Sequence, residues 1–378
     1  MYIQLLIFIL ALIGLNIYKE SGTPLQQQKN RKKYITFMMV LLALQSGLRN
    51  VAVGADTYAY YLMFDKATHY SLYQLLFDNT ALSFKDPGYL ILTKLFSVFI
   101  PNYRLFLIAI AIFFFSALGK LLYRYLNSNL DVLVSIALYE CLYYSFFSIT
   151  GLRQTIATGI LLFALPLVLD KRHKRKNTIL FFLLLFVAST IHKSAFLFLP
   201  VYFLPRFRNN KQVFLSVFVL FVPMFYAGGV LGSILEDTEF ERYTHYFEQN
   251  ETVGAVVFTV YIVMLTLAVF FKLKKINSYS KDNHVFSSSI AIAMMLSPLL
   301  VLDPNNQRIV QYYSIFGLII LPQICYAYSG TLSKKGLYIP VFAILAAYTI
   351  LRYEPYAFFW QDMLFGEGSQ IINDSMLN

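Results

Sequence analysis

Four short stretches of this sequence carry side chains able to hold an anion and move a proton. In Arg49-Asn50-Val51-Ala52-Val53-Gly54-Ala55-Asp56-Thr57-Tyr58, a guanidinium precedes a carboxylate, with Gly54 free to turn the chain between them. Such a cation can grip a phosphate while Asp56 accepts a proton from a sugar hydroxyl. The structural alternative is a helix-end Arg reaching for the surface and an Asp capping the next helix. Gly151-Leu152-Arg153-Gln154 joins two apolar runs. Backbone N–H groups at the start of the second run, together with Arg153 and Gln154, form an anion site, against the plainer reading of a lone interfacial Arg.

Ile191-His192-Lys193-Ser194 is the tip of a hairpin over residues 177–205. Each arm has about 15 residues and reaches roughly 22 Å, so the tip is expected below the outer membrane surface. There a neutral His192 can act as a base and Lys193 can pair a phosphate, unless the imidazole is purely structural. Asp303-Pro304-Asn305-Asn306-Gln307-Arg308 is a polar turn that either adds the Arg308 cation to the same face or is simply solvated. Glu140 is the one carboxylate placed deep in an apolar run, either protonated or paired with a base from elsewhere. Cys141 and Cys325 lie in apolar stretches, which argues against disulfides, thiolate metal sites and a cysteine nucleophile. No P-loop, GxGxxG, HExxH, CxxC or paired DxD motif occurs, so ATP-driven transport and zinc hydrolysis have no motif support.

The elements that must position these residues are membrane helices. The 378 residues are 58% apolar and 13% charged, far from the composition of a soluble domain. A net charge of +11 would suit nucleic acid, but in a membrane protein it reflects basic cytoplasmic loops, and no nucleic-acid partner is expected. Apolar runs over residues 2–18, 34–48, 105–119, 132–149, 155–169, 178–191, 195–204, 213–235, 253–271, 285–302, 309–328 and 337–351 predict about twelve crossings. The first is read as a retained helix and not a signal peptide, for lack of a basic leader and a cleavage site.

Basic clusters around Lys29, Lys120, Lys171, Arg206, Lys272 and Lys334, placed inside, leave the acidic connections outside. Those connections are an external loop over residues 49–87 and an acidic one over residues 236–252. Residues 88–100 are apolar, but thirteen residues reach roughly 20 Å against a hydrocarbon core of about 30 Å, so they are expected as a short re-entrant helix. The fold class is thus an all-α polytopic membrane protein, with residues 1–378 forming a single integral domain.

Arg49…Val53-Gly54-Ala55-Asp56-Thr57…Tyr60, then Asp86-Pro87-Gly88-Tyr89, then Leu152-Arg153-Gln154, then Ile191-His192-Lys193-Ser194-Ala195, in that order, resembles the EpsG family. These are Wzy-type polymerases of exopolysaccharide, capsule and O-antigen. The likeness covers the first half of the chain; the second half agrees in hydropathy alone. Asp86 departs from the Glu expected at its place.

The resemblance implies a glycosyltransferase C-like fold in the bacterial cytoplasmic (inner) membrane, with an active site facing outside. It implies transfer of a growing glycan from a polyprenyl-pyrophosphate carrier to a new lipid-linked repeat unit. Arg49, Arg153, Gln154, Lys193 and Arg308 would bind the pyrophosphate, and Asp56 or His192 would activate the acceptor hydroxyl. No cofactor or metal is called for, because protein cations would offset the phosphate charge. The partners implied are the polyprenyl-pyrophosphate-linked oligosaccharide, membrane lipids, and chain-length regulator and flippase proteins. Two other classes fit the same residues: a lipid-linked oligosaccharide flippase, and a membrane acyltransferase modifying the same glycan through His192.

Overall fold

Apolar runs bounded by capping residues set the helices. In a computed structural model, residues 2–54, 56–77, 86–170, 174–207, 210–235, 249–302, 306–329, 334–352, 354–365 and 370–372 are described. The chain divides into two compact units, Met1–Phe196 with Tyr338–Asn378, and Leu197–Leu337.

The first unit opens with α1 (Ile3–Ile17) and α2 (Pro24–Gly47). Pro24 starts α2 where no N–H is needed, and the Thr23 hydroxyl accepts from the Gln26 N–H. Next come α3 (Thr57–His69), α4 (Leu72–Phe77), α5 (Pro87–Phe99), α6 (Tyr103–Tyr125) and α7 (Asn129–Leu142). Ser128 and Asp131 form a reciprocal capping box on α7, and the Asp131 carboxylate also accepts from the Tyr338 hydroxyl. At its far end α7 passes into a π-helix, Tyr144–Thr150, bent from it by 71°. Gly151 then starts α8 (Leu152–Leu169), which pairs with α6 and with α9 (Lys174–Ile191).

Residues 49–87, expected as an external loop, hold α3, α4 and the start of α5; residues 78–85 lie outside those described. The reason is legible in α3, where Tyr60, Phe64 and Ala67 recur at helical spacing and are buried. The short apolar stretch after Asp86 is a single helix, α5, packed on α3 and α9.

After α9 the chain forms a 3₁₀-helix, Lys193–Tyr202, within which the boundary between the units falls. Pro200 has no N–H for the carbonyl four residues back, which disfavours an α-helix here. At about 2 Å per residue this tighter form makes ten residues reach roughly 20 Å.

The second unit contains α10 (Lys211–Leu235), α11 (Gln249–Phe271), α12 (Leu273–Ser278), α13 (Asn283–Leu296), α14 (Pro298–Leu302), α15 (Gln307–Ser314) and α16 (Gly317–Tyr328). α13 packs against α10, α11 and α15, burying Ser287, Ser288 and Ser289. Asn283 donates to the Gln323 side chain at 2.7 Å and to the Ile276 carbonyl at 2.6 Å, joining α12, α13 and α16. Most of the acidic connection, residues 236–248, lies outside those described.

From Tyr338 on, α17 (Lys334–Leu351) belongs to the first unit. It leads to a short antiparallel pair, β1 (Met363–Phe365) with β2 (Gln370–Ile372), a small departure from an all-α chain. Among the described residues four helical stretches are long and apolar enough to cross a membrane: Tyr103–Tyr125, Leu152–Leu169, Gly254–Phe271 and Asn283–Leu300. Counting each bent pair as one span, α7 with the π-helix and α15 with α16, makes six.

Candidate functional site

Asp86, at the N-terminus of α5 and 4% exposed, is the point where three of the sequence motifs meet. Arg153 Nη1 donates to Asp86 Oδ2 at 2.6 Å, and the Lys193 backbone N–H donates to Oδ1 at 3.3 Å. His192 Nδ1 stands 3.8 Å from Oδ2, an electrostatic contact and too long for a hydrogen bond. A fourth motif supplies Tyr60, whose hydroxyl accepts from Arg153 Nε at 3.3 Å and whose ring lies 5.7 Å from the guanidinium carbon. Behind the polar groups, Tyr60 meets the buried Tyr89 edge-on at 5.7 Å, in one apolar cluster with Val51, Leu152 and Ile191.

Local sequence explains why these groups converge. Gly88 lies so close to the end of α9 that a Cβ on it would stand 2.3 Å from Thr190 Oγ1 and 2.8 Å from the Thr190 carbonyl carbon. Its missing side chain is what lets Asp86 reach His192 and Lys193. Pro87 at the first helical turn needs no donor there. Gly54 has φ +85, and a Cβ on it would stand 2.2 Å from the Ile149 carbonyl oxygen. The glycine therefore lays the Arg49 to Asp56 stretch against the π-helix. Thr57 then donates to the same Ile149 carbonyl at 2.7 Å, and Tyr103 donates to the Thr57 carbonyl at 3.1 Å. This holds α3 so that Tyr60 faces Arg153.

The electrostatics follow from the geometry. Burial pushes the Asp86 carboxyl up, but His192, the Arg153 guanidinium and the Lys193 N–H outweigh it and hold it below the ordinary carboxylate value. Asp86 is thus an anion matched by Arg153, and His192 is turned toward it through Nδ1. The Arg153 side chain keeps 22% of its surface exposed and His192 keeps 12%, while Lys193 is exposed. The arrangement offers the Arg153 cation at a partly open place, which suits an oxyanion, and beside it an imidazole whose two ring nitrogens are shielded from solvent.

The other expected residues fall as follows. Asp56 is half-buried at the N-cap of α3, one turn before Tyr60, and its side chain makes no capping bond. Gln154 is buried in the first turn of α8. Arg49 is 2% exposed and stands apart from the Asp86 contacts. Its Nη1 donates to the Ser46 carbonyl at 2.5 Å and its Nε to Thr57 Oγ1 at 3.4 Å, while its backbone pairs with Phe358. Asn50 extends that clamp, bonding to Ala357 and Gln361. Arg308 is half-buried on α15 of the second unit, and residues 303–305 of its turn lie outside those described. Glu140 is met by a side-chain amide, Gln45 Nε2 at 3.1 Å.

Asp86 and Tyr60 received no role from sequence, although both stood in quoted motifs. The available signal was the Asp-Pro-Gly at a helix start, where a carboxylate followed by a glycine marks a close approach. Among the described residues no group of three or more His, Cys, Asp or Glu side chains is arranged to hold a metal ion.

These features define a helical membrane protein with an Asp–Arg–His cluster, centred on a buried Asp86, built from separate helix ends. A family model described as the EpsG family matches residues 32–361, so the chain belongs to the EpsG family. The match extends through the second half, beyond the motifs that first suggested it. No curated protein and no solved structure matches the chain.

Proposed function

We propose that this protein is a polysaccharide polymerase whose active site is the Asp86 cluster, facing outward from a bacterial cytoplasmic membrane. The supporting topology is glycosyltransferase C-like, with about twelve crossings and α5 re-entrant. The observation that carries the reading is the convergence of Arg153, His192 and Lys193 on Asp86 from separate helix ends, in a chain of the EpsG family.

In the proposed reaction the hydroxyl at the non-reducing end of a new lipid-linked unit loses its proton to His192. Its oxygen attacks the anomeric carbon of the growing glycan, and the bond from that carbon to the polyprenyl pyrophosphate breaks. The leaving pyrophosphate takes the bonding electron pair, and Arg153 and Lys193 meet its growing charge. Asp86 acts as a positioning residue: it holds the His192 ring through Nδ1, leaving Nε2, which the protein shields from solvent, as the atom that takes the proton once the acceptor enters. Asp56, one turn from Tyr60, is the alternative base, and Gln154 supports the start of α8. Arg308 would contact the carrier, and Arg49 would serve by holding the outer connection in place.

Arg153 gives the sharpest test. Lys keeps the charge and loses the planar fork, so Arg153→Lys should remain clearly impaired and Arg153→Ala should fall on the order of a hundredfold or more. Single-turnover extension at matched thermal stability reads this directly. Near-normal rates in both variants would remove Arg153 from the mechanism.

A further inference from the structure

We propose that the groove between α2 and α6, at the basic end of the first unit, binds one anionic phospholipid of the cytoplasmic leaflet. This site is independent of the function proposed above.

The two helices run antiparallel. A Cβ on Gly47 would touch Ile108, whereas one on Gly119 would touch Met39, so the start of α2 lies beside the end of α6. Between them is a groove of about 310 Å³. Ile35, Met39 and Ala43 form one wall and Ile112 and Phe115 the other. The charged groups collect at one end, where Lys32 faces Lys120 and Tyr123, and the rest of the lining is apolar apart from the Thr36 and Ser116 hydroxyls.

Length and charge both select the occupant. From residue 32 to residue 43, α2 rises about 16 Å, close to half of a hydrocarbon core of about 30 Å. The groove is therefore one leaflet deep, with ammonium groups at headgroup level and an apolar floor for an acyl chain. Lys32 and Lys120 are exposed, and neither belongs to an ion pair among the described residues. Lys120 Nζ rests 4.8 Å from the Phe163 ring, a contact that leaves its charge uncompensated. The neighbouring Arg31 is already committed, donating to the Asn127 carbonyl at 2.8 Å. Two uncompensated cations favour a headgroup with net negative charge over a zwitterionic one. Lys29, Arg31, Lys32, Lys33, Lys120 and Arg124 mark this end as cytoplasmic.

The test is native mass spectrometry of the purified full-length protein in detergent, with equal amounts of phosphatidylglycerol and phosphatidylcholine. The wild type should retain one phosphatidylglycerol in preference. Lys32→Ala/Lys120→Ala should weaken that binding by about tenfold or more and leave phosphatidylcholine unchanged. Lys32→Arg/Lys120→Arg should keep it, which separates lost charge from misfolding. Ser116→Trp retains both lysines but fills the groove, and should displace the lipid. Equal retention of the two lipids by the wild type would overturn the site. So would wild-type retention of phosphatidylglycerol by the double Ala variant.

Discussion

At the residue scale, the central feature is one carboxylate serving three partners. Asp86 Oδ2 is shared between Arg153 and His192 while Oδ1 accepts the Lys193 N–H. Asp86→Asn keeps the volume but removes the charge that turns His192, so extension should slow by roughly a hundredfold with little change in KM. Asp86→Glu, the residue expected at this place in the family, should retain more activity than Asn; equal loss in both would show that charge at Asp86 is irrelevant.

The sign of the pH effect is fixed by the downward shift. A carboxylate held below its ordinary value of 3.8 contributes stability fully above that value, and loses it as pH falls through the folded value. The Tm difference between wild type and Asp86→Asn should therefore stay constant as pH falls toward 3.8 and shrink only below it. A difference that fades well above that point would contradict the ion pair.

At the element scale, the site depends on how closely α5 approaches the end of α9. Gly88→Ala places a methyl group against Thr190 Oγ1 and the backbone behind it. The cost should be about 1–3 kcal/mol, because backbone cannot give way as a flexible side chain does. Gly88→Ala should lower both Tm and extension rate, and adding Thr190→Ala should not restore them, since the carbonyl carbon at 2.8 Å remains. Full restoration would show that only the hydroxyl obstructs.

This approach also marks what sequence could and could not convey. The motif residues were legible one by one, since Arg, His and Lys beside apolar runs stand out by the expense of placing charge at membrane depth. Their meeting at Asp86 was not, because it depends on a glycine contact between segments about a hundred residues apart. Hydropathy read through the 71° bend at Tyr143 because a π-helix is as apolar as the α-helix it continues. It also read residues 57–69 as polar loop, because their charged face outweighed the buried Tyr60, Phe64 and Ala67. Arg49 looked like a phosphate ligand from its spacing to Asp56; in the fold its Nη1 donates to the Ser46 carbonyl and its Nε to the Thr57 hydroxyl, contacts between segments that spacing does not reveal.

At the scale of the whole molecule, charge partition predicts the sidedness of the chain. In a background with Cys141→Ser and Cys325→Ser, single cysteines at Asn30 and Ser194 should label from opposite faces of intact cells, Ser194 from outside. Labelling from one face would overturn the outward site.

The central claim is that the Asp86 cluster lengthens glycans on a lipid carrier, and the most direct measurement supplies purified protein with polyprenyl-pyrophosphate-linked repeat units and resolves the products by size. A ladder of successive repeats should form with the wild type and be absent with His192→Ala. Movement of the units across a bilayer without lengthening, acylation of the glycan, or an undiminished ladder from His192→Ala would contradict it.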